Sequence, residues 1–179
     1  MLKRVSGLYL AVLLVAVAIV VAAVGTAFAV DSGNTITRVR AVYSNATTGN
    51  AGPTWATVVS PPSGTRASTQ INVTGSSALL VMRFTAQSQC AGTASPLAIC
   101  KVRIMVTEPN GNTVEANPAG VANAFDTPTT AGPRNTRTLD RSFLATGSGT
   151  YTVQVQFQKA SSAGSFMLSN WSLIVERAG

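Results

Sequence analysis

The side chains best suited to acid–base chemistry are two aspartates, Asp126 and Asp140. The 179-residue sequence contains no histidine, which excludes Ser-His-Asp and Cys-His catalysis and histidine-ligated metal sites. A pair of carboxylates across a cleft would still be able to hydrolyse a glycosidic bond. However, Asp140 stands next to Arg141 and near Arg137, a pattern typical of an ion-paired strand edge. The sequence therefore predicts no enzyme, and Asp126 and Asp140 are retained only as candidate ligand-binding residues.

A cation site is the second kind of chemistry that the acidic residues suggest. Calcium takes six to eight oxygen ligands and tolerates irregular loops. Oxygen atoms for such a site are available from one group of loop residues, namely Asp126, Glu115, Asn117 and Asn123. Their spacing lacks the regular alternation of acids found in dedicated calcium loops. The sequence predicts no metal and no other cofactor.

The two tryptophans have different expected roles. Trp171 shares one face of a predicted strand with the apolar residues Leu173 and Val175, so it is predicted to lie in the core. Trp55 stands in a short segment bounded by prolines, and an exposed ring there would stack on a sugar. It is the aromatic residue that we nominate for ligand binding. Three Asn-x-Ser/Thr triplets also occur, at Asn45, Asn72 and Asn170, and Asn45 is the expected acceptor if the host glycosylates exported proteins.

The elements that must position these residues are β-strands. Apolar and polar residues alternate strictly in 151–158 and 101–106, which indicates strands with one buried face. The segment 78–84 is apolar on both faces up to Arg83, so it is predicted to be a central strand covered on both sides. Further strands are expected around Val39–Tyr43, Trp55–Val59, Ile71–Val73, Leu139–Phe143 and Phe166–Val175. The alternation in the last of these slips by one residue near Asn170, which predicts a β-bulge.

Glycine and proline punctuate the chain too often for long helices. Eight or nine short strands joined by such turns predict an all-β fold, a single antiparallel β-sandwich of the jelly-roll kind. The two cysteines, Cys90 and Cys100, flank one loop between strands. Outside the cytoplasm an isolated pair is normally oxidised, and the spacing lacks the C-x-x-C pattern of redox sites, so a structural disulfide is expected.

The N-terminal segment predicts export. Lys3 and Arg4 precede an uncharged apolar run over 5–30, which ends in Ala27-Phe28-Ala29. This arrangement is typical of a secretory signal peptide over 1–29, followed by the β-sandwich domain over 30–179. The run is also long enough for a retained membrane anchor, and a pilin-type leader is a third alternative. All three place the domain outside the cytoplasm, either secreted or at the cell surface, with membrane contact only through 5–30 if that segment is uncleaved.

The charge pattern indicates what the domain meets there. Without Lys3 and Arg4 the chain keeps 11 basic residues (13 − 2) and 6 acidic ones, a net charge of +5. Such a charge favours anionic surfaces such as cell-wall polymers or lipid headgroups. The basic residues are scattered rather than gathered in a stripe interleaved with aromatics, so no nucleic-acid binding is predicted.

Several motifs follow one another in a recognisable order. They are LLVMRFTAQS at 79–88, Cys90 and Cys100 followed by KVRIMV, NAFD at 123–126, LDRS at 139–142, GTYTVQVQ at 149–156 and FMLSNWSLIVER at 166–177. This order resembles that of a group of bacterial exported β-sandwich proteins. The resemblance covers roughly 35–177. It implies a compact exported β-sandwich and no particular reaction. The sequence departs from the pattern at Asn170, where the group more usually carries an acid.

These observations leave three functional hypotheses. The first is a non-catalytic exported β-sandwich with a structural, adhesion or binding role, whose partner is a cell-envelope polymer, a surface glycan or like subunits. The second is a subunit of an extracellular filament, assembled by the apolar N-terminus or by adding the strand 31–43 to a neighbour. The third is a carbohydrate-active hydrolase that uses Asp126 and Asp140.

Overall fold

The computed structural model describes residues 35–92, 99–120, 123–128, 134–159 and 163–179. The predicted signal peptide or anchor therefore lies outside the described residues, as does most of the loop between Cys90 and Cys100. Within the described part of the chain, no helix is long and apolar enough to cross a membrane.

The described secondary structure consists of strands. In chain order they are β1 (Ile36–Ser44), β2 (Ala56–Thr57), β3 (Val59–Ser60), β4 (Thr65–Arg66), β5 (Ser68–Val73), β6 (Ala78–Gly92), β7 (Cys100–Thr107), β8 (Thr113–Glu115), β9 (Ala124–Asp126), β10 (Asn135–Ala145), β11 (Gly149–Gln158) and β12 (Ala163–Ala178). The predicted all-β fold is confirmed.

The strands form two antiparallel sheets and one short ribbon. The first sheet has the order β1-β12-β6-β10. The second sheet has β11 and β7 paired at its centre. Strands β2 and β5 pair with the other edge of β11, and strands β8 and β9 pair with the other edge of β7. The ribbon is β3 with β4. Since every pairing is antiparallel, each sheet buries one face and leaves the other outside.

A single hydrophobic core lies between the two sheets, and it is built by period-two alternation. In β11 the residues Tyr151, Val153, Val155 and Phe157 are buried, while the glutamines between them are not. The same pattern holds in β7 and β6. The predicted inward faces of 101–106 and 151–158 are therefore confirmed. The largest fully buried side chains are those of Trp171, Phe84, Phe166, Ile71, Leu80 and Met82.

Trp171 lies in this core, as its pattern predicted. Its exposed fraction is 1%, and its indole Nε1 donates a hydrogen bond of 2.7 Å to the Ser60 hydroxyl. The predicted bulge immediately before it is also present. The pairing of β12 with β6 shifts register between Ser169 and Ser172, and Asn170 has a φ of 47°. An asparagine tolerates this left-handed conformation better than most residues.

Two strand predictions need correction. The predicted strand over Trp55–Val59 is instead two separate strands of two residues each, and Trp55 lies in neither. The segment 78–84 is central in its sheet, but it is covered on one side only by the described residues. Leu79 and Val81 are half-buried on the open outer face. The same face carries charged residues such as Arg83, which donates a hydrogen bond to Asp140.

The predicted disulfide between Cys90 and Cys100 is present, with the two Cα atoms 6.1 Å apart. It joins the end of β6 in the first sheet to the start of β7 in the second sheet. Both half-cystines are buried, at 3% and 0% exposure. The bond therefore links the two sheets covalently at one end of the core.

We expect the double variant Cys90→Ala/Cys100→Ala to unfold at a lower urea concentration. Closing a loop with a sequence separation of 10 is expected to contribute about 2.5–3 kcal/mol by restricting the unfolded chain. Urea unfolding followed by tryptophan fluorescence measures this difference. Full reduction of the wild-type protein should reproduce the shift, and an unchanged midpoint in both samples would contradict the structural role.

Candidate functional site

The outer face of the second sheet carries two amide and two hydroxyl side chains close together on its two central strands. Because Val153 and Val155 point into the core, the residues between them point outward. The facing pairs across β11 and β7 are Gln156 with Arg103, Gln154 with Met105 and Thr152 with Thr107. All six are half-buried. We call these six residues, together with Trp55 and Glu115 at their sides, the polar face.

Arg103 is the most constrained residue of the polar face. Its guanidinium carbon lies over the Trp55 ring, 4.2 Å from the centroid. Its Nε donates to Oε1 of Gln156 at 2.9 Å, and its Nη1 lies 3.9 Å from Oε2 of Glu115. Three different contacts therefore hold one cation in one place. Partial burial lowers the pKa of Arg103, and the attraction of the Glu115 carboxylate offsets only part of this effect. The arginine still stays protonated at neutral pH.

Trp55, the aromatic nominated from the sequence, is half-buried. The guanidinium of Arg103 covers one face of its ring. A cation over an indole face is worth about 0.5–2 kcal/mol and fixes the ring orientation. The residue is thus part of a rigid stack at the side of the polar face, rather than an isolated exposed platform.

A chain of hydrogen bonds leads from the polar face to the first sheet. Glu115 accepts a hydrogen bond of 2.6 Å from the Asn123 amide, and Asn123 in turn accepts one of 3.1 Å from Nη2 of Arg141. Glu115 and Asn123 were grouped by sequence as cation ligands, whereas the structure pairs them with each other. Among the described residues, no three His, Cys, Asp or Glu side chains are grouped closely enough to hold a metal ion.

The two candidate aspartates lie on opposite sides of the first sheet. Asp126 is only 5% exposed and accepts hydrogen bonds from the Ser88 hydroxyl at 2.7 Å and the Thr127 amide at 3.0 Å. Asp140 has a side chain 58% exposed on the outer face and pairs with Arg83 at 2.7 Å. This hydrogen bond and the attraction of the two charges raise the pKa of Arg83. The two carboxylates do not face one another across a cleft.

The ion pairs of β10 also differ from the sequence expectation. Arg137 contacts Asp126 at 3.3 Å. Nη1 of Arg141 donates to the Asp140 carbonyl, and Nη2 donates to Oδ1 of Asn123. The reason is alternation: residues 137 and 141 share one face of the strand, and residue 140 lies on the other. The predicted grouping of these three side chains into one ion-paired edge is therefore wrong.

The three glycosylation triplets all have exposed asparagines. Asn45 follows the end of β1. Asn72 accepts a hydrogen bond of 2.7 Å from Thr150, and Asn170 donates one of 2.8 Å to Gln87. Asn45 remains the predicted acceptor because it lies outside the strands.

Sequence reasoning missed Arg103, Gln154 and Gln156 as members of a site. The signal was present in the strands it identified correctly. The same alternation that assigns valines to the core assigns the intervening glutamines and arginine to one shared outer face. What the sequence did not contain was the pairing of β7 with β11, which brings Arg103 next to Gln156.

No protein-family model matches the chain, and no curated protein matches it. Among solved structures, the VP2 subviral particle of infectious bursal disease virus has 13% identity and a TM-score of 0.42 over 78% of this chain. The CBM22-1 xylan-binding domain of Paenibacillus barcinonensis Xyn10C has 12% identity and a TM-score of 0.34, covering 80% of this chain and 85% of that domain. The C-terminal domain of the sugar-binding protein EclA has 18% identity and a TM-score of 0.28, covering 83% of this chain and 86% of that domain.

The chain spans about a third of the length of the VP2 structures, 32% in the subviral particle and 34% in the Gt strain. At these scores the likeness does not extend to function.

We expect Asp126→Asn to destabilise the fold by about 1–3 kcal/mol, because an amide in this buried position leaves a hydrogen-bonding partner unsatisfied and removes the charge that faces Arg137. Urea unfolding measures the change. The matched control is Asp140→Asn, an exposed acid on the other side of the sheet, which should leave the midpoint close to wild type. Equal effects of the two substitutions would contradict the assignment of Asp126 as the structural acid.

Proposed function

We propose that this protein is an exported, non-catalytic β-sandwich of the cell surface that binds a glycan or a similar polyhydroxylated envelope polymer through the polar face. The observation that carries the proposal is the row of amide and hydroxyl groups on β7 and β11, beside the fixed stack of Arg103 and Trp55. A polar row of this kind suits an extended polymer lying along the two strands.

Amide side chains match sugar hydroxyls because each amide both donates and accepts hydrogen bonds. The carbonyl of Gln156 accepts from Arg103, so the orientation of that amide is defined. Its nitrogen donates to Gln154 at 3.4 Å. Among the described residues, the amide nitrogen of Gln154 has no hydrogen-bond acceptor, so it is available to a ligand. Because both amides are already oriented, a ligand would lose little conformational entropy of the protein on binding.

Two features support an extracytoplasmic location. The oxidised Cys90–Cys100 pair suits an oxidising compartment. The apolar segment that follows Lys3 and Arg4 suits a signal peptide or an anchor. Secretion, cell-surface display and the role of the N-terminal segment are parts of this proposal.

The non-catalytic part of the proposal is supported by the placement of the acids. Asp126 is engaged by Ser88 and Arg137, and Asp140 lies on the outer face. A glycoside hydrolase needs its two carboxyl groups on either side of one bound sugar. The hydrolase hypothesis thus has less support than the binding hypothesis.

We also propose that the sandwich is a jelly roll and that the chain belongs with the bacterial exported proteins whose motifs it resembles. The strand orders β1-β12-β6-β10 and β5-β11-β7-β9 support the first part, since consecutive long strands alternate between the sheets. For the second part, the segments that carry the resemblance coincide with β6, β7, β9, β10, β11 and β12.

Assembly with like subunits is a second candidate role, favoured by the outer face of the first sheet. That face exposes large apolar side chains, with Val39 at 52%, Tyr43 at 73% and Leu144 at 59%. In addition, β1 pairs on one side only within the described chain. A polymeric species in light scattering of the purified protein would support this role, and a monomer at high concentration would oppose it.

We expect Trp55→Ala to weaken glycan binding at least tenfold, since the substitution removes the ring and releases Arg103. Gln154→Ala/Gln156→Ala should weaken it by a similar factor, at about 0.5–1.5 kcal/mol for each lost hydrogen bond. Affinity electrophoresis of the purified protein through a panel of soluble polysaccharides and solubilised envelope glycans measures the effect.

The matched control for the aromatic substitution is Tyr43→Ala, because Tyr43 is exposed on the other sheet. This variant should bind like wild type. The absence of retardation by every glycan of the panel, or equal losses in Trp55→Ala and Tyr43→Ala, would contradict the proposal.

A further inference from the structure

Two arginines face one another directly across a strand pair at the edge of the first sheet. Arg38 of β1 and Arg177 of β12 are Cα partners, and Arg40 is paired with Val175 one step further along. Partners in an antiparallel pair share a sheet face, so all three arginines belong to the same face. Like charges placed directly opposite destabilise a sheet, so this arrangement requires an explanation.

No acid of the described chain neutralises this cluster. None of the three arginines forms a salt bridge with a described carboxylate. The acid nearest in sequence is Glu176, which lies on the opposite face of the sheet. There it is the Cα partner of Val39, and its negative charge raises the pKa of Arg83. Arg38 and Arg40 are exposed. The positive charge of the cluster is therefore not compensated by any carboxylate of the described residues.

Arg177 differs from the other two because it is anchored to the second sheet. Its Nη1 and Nη2 donate to the carbonyl oxygens of Asn72 and Thr74, at 3.2 and 3.1 Å, and Nη2 also donates to the Thr74 hydroxyl. Its Nε is buried and has no hydrogen-bond partner among the described residues. An unsatisfied buried donor is costly, so Arg177 is held in place beside Arg38 at a cost in stability.

We propose that the exposed Arg38 and Arg40 bind the oxyanions of a linear polyanionic polymer, and that the anchored Arg177 adds its positive charge beside them. We call these three residues the arginine edge. The planar guanidinium donates two parallel hydrogen bonds to a phosphate or carboxylate group. Side chains two residues apart on one strand face are separated by roughly 6.8 Å. A row with this spacing suits successive charged groups of one extended chain, and each bound oxyanion relieves the repulsion between the arginines.

The polymer, rather than a lipid surface, is favoured by the alternation of β1. The exposed apolar side chains Val39 and Tyr43 lie on the face opposite to Arg38 and Arg40. A bilayer that accepted those apolar side chains would lie on the far side of the strand from the arginines. A thin polymer running along the edge meets the arginines without this conflict.

This site is independent of the polar face, because the arginine edge lies on β1 and β12 of the first sheet. The chemistry also differs. The polar face offers mainly uncharged donors and acceptors, whereas the arginine edge offers uncompensated positive charge. The surface domain would thus hold two kinds of envelope polymer at once.

The test is binding of the purified full-length protein to polyphosphate and to polygalacturonate, with phosphatidylglycerol vesicles and neutral dextran in parallel. Both polyanions should bind and dextran should not, and any vesicle binding through the apolar run 5–30 should be the same in wild type and in Arg38→Gln/Arg40→Gln. Arg38→Gln/Arg40→Gln should weaken polyanion binding at least tenfold and flatten its dependence on salt concentration, since two charge contacts are lost.

The matched control is Arg83→Gln/Arg134→Gln, which removes the same net charge from exposed positions on β6 and just before β10. It should retain polyanion binding. Equal losses in the two double variants would show attraction by net charge alone and would overturn the proposal. So would a loss of vesicle binding alone in Arg38→Gln/Arg40→Gln, or no binding of the wild type to either polyanion. Trp55→Ala should leave polyanion binding unchanged. A failure of the polar-face proposal can therefore be distinguished from a failure of the arginine-edge proposal.

A second measurement guards against a folding defect. Without ligand, Arg38→Gln should unfold at the same urea concentration as wild type or a higher one, because the repulsion with Arg177 is removed. Polyphosphate should raise the wild-type midpoint but not that of Arg38→Gln/Arg40→Gln. Stabilisation of the double variant by polyphosphate to the same extent as wild type would overturn the assignment of the site.

Discussion

The constraint on which the rest of the structure depends is the shared core between two antiparallel sheets. Every second residue of β7 and β11 is apolar and points inward, as Val153 and Val155 do. A shift of one residue would expose that whole set and bury the glutamines between them. Because the core fixes the register so strongly, it also fixes which residues remain outside for contact with other molecules.

The two outer faces that result are chemically distinct. On the second sheet the alternation leaves amides, hydroxyls and the Arg103–Trp55 stack. On the first sheet it leaves Leu79, Val81 and Leu144 beside an exposed Arg83–Asp140 pair. The disulfide and the hydrogen bonds from Arg177 to Asn72 and Thr74 hold the sheets together at different places. The difference between these two outer faces is the basis of the binding role proposed above.

Most of the fold could be predicted from the sequence because period-two alternation is a local signal. It located β7 and β11, placed Trp171 in the core and found the bulge at Asn170. The site could not be predicted in the same way, because it depends on pairs distant in the chain. Arg103 meets Gln156 across 53 positions. The error over Arg137 and Asp140 was avoidable, since alternation alone separates their faces.

The most direct test of the account is the behaviour of the two tryptophans when a polymer binds. The chain has 2 tryptophans, one beside the polar face and one 1% exposed in the core, so two indole signals are expected in a ¹⁵N-labelled sample. On titration with a glycan that binds the protein, the Trp55 indole signal should shift while the Trp171 signal stays in place. Binding without a shift at Trp55, or with a shift at Trp171 alone, would contradict the central claim that the outer face of the second sheet is the binding surface.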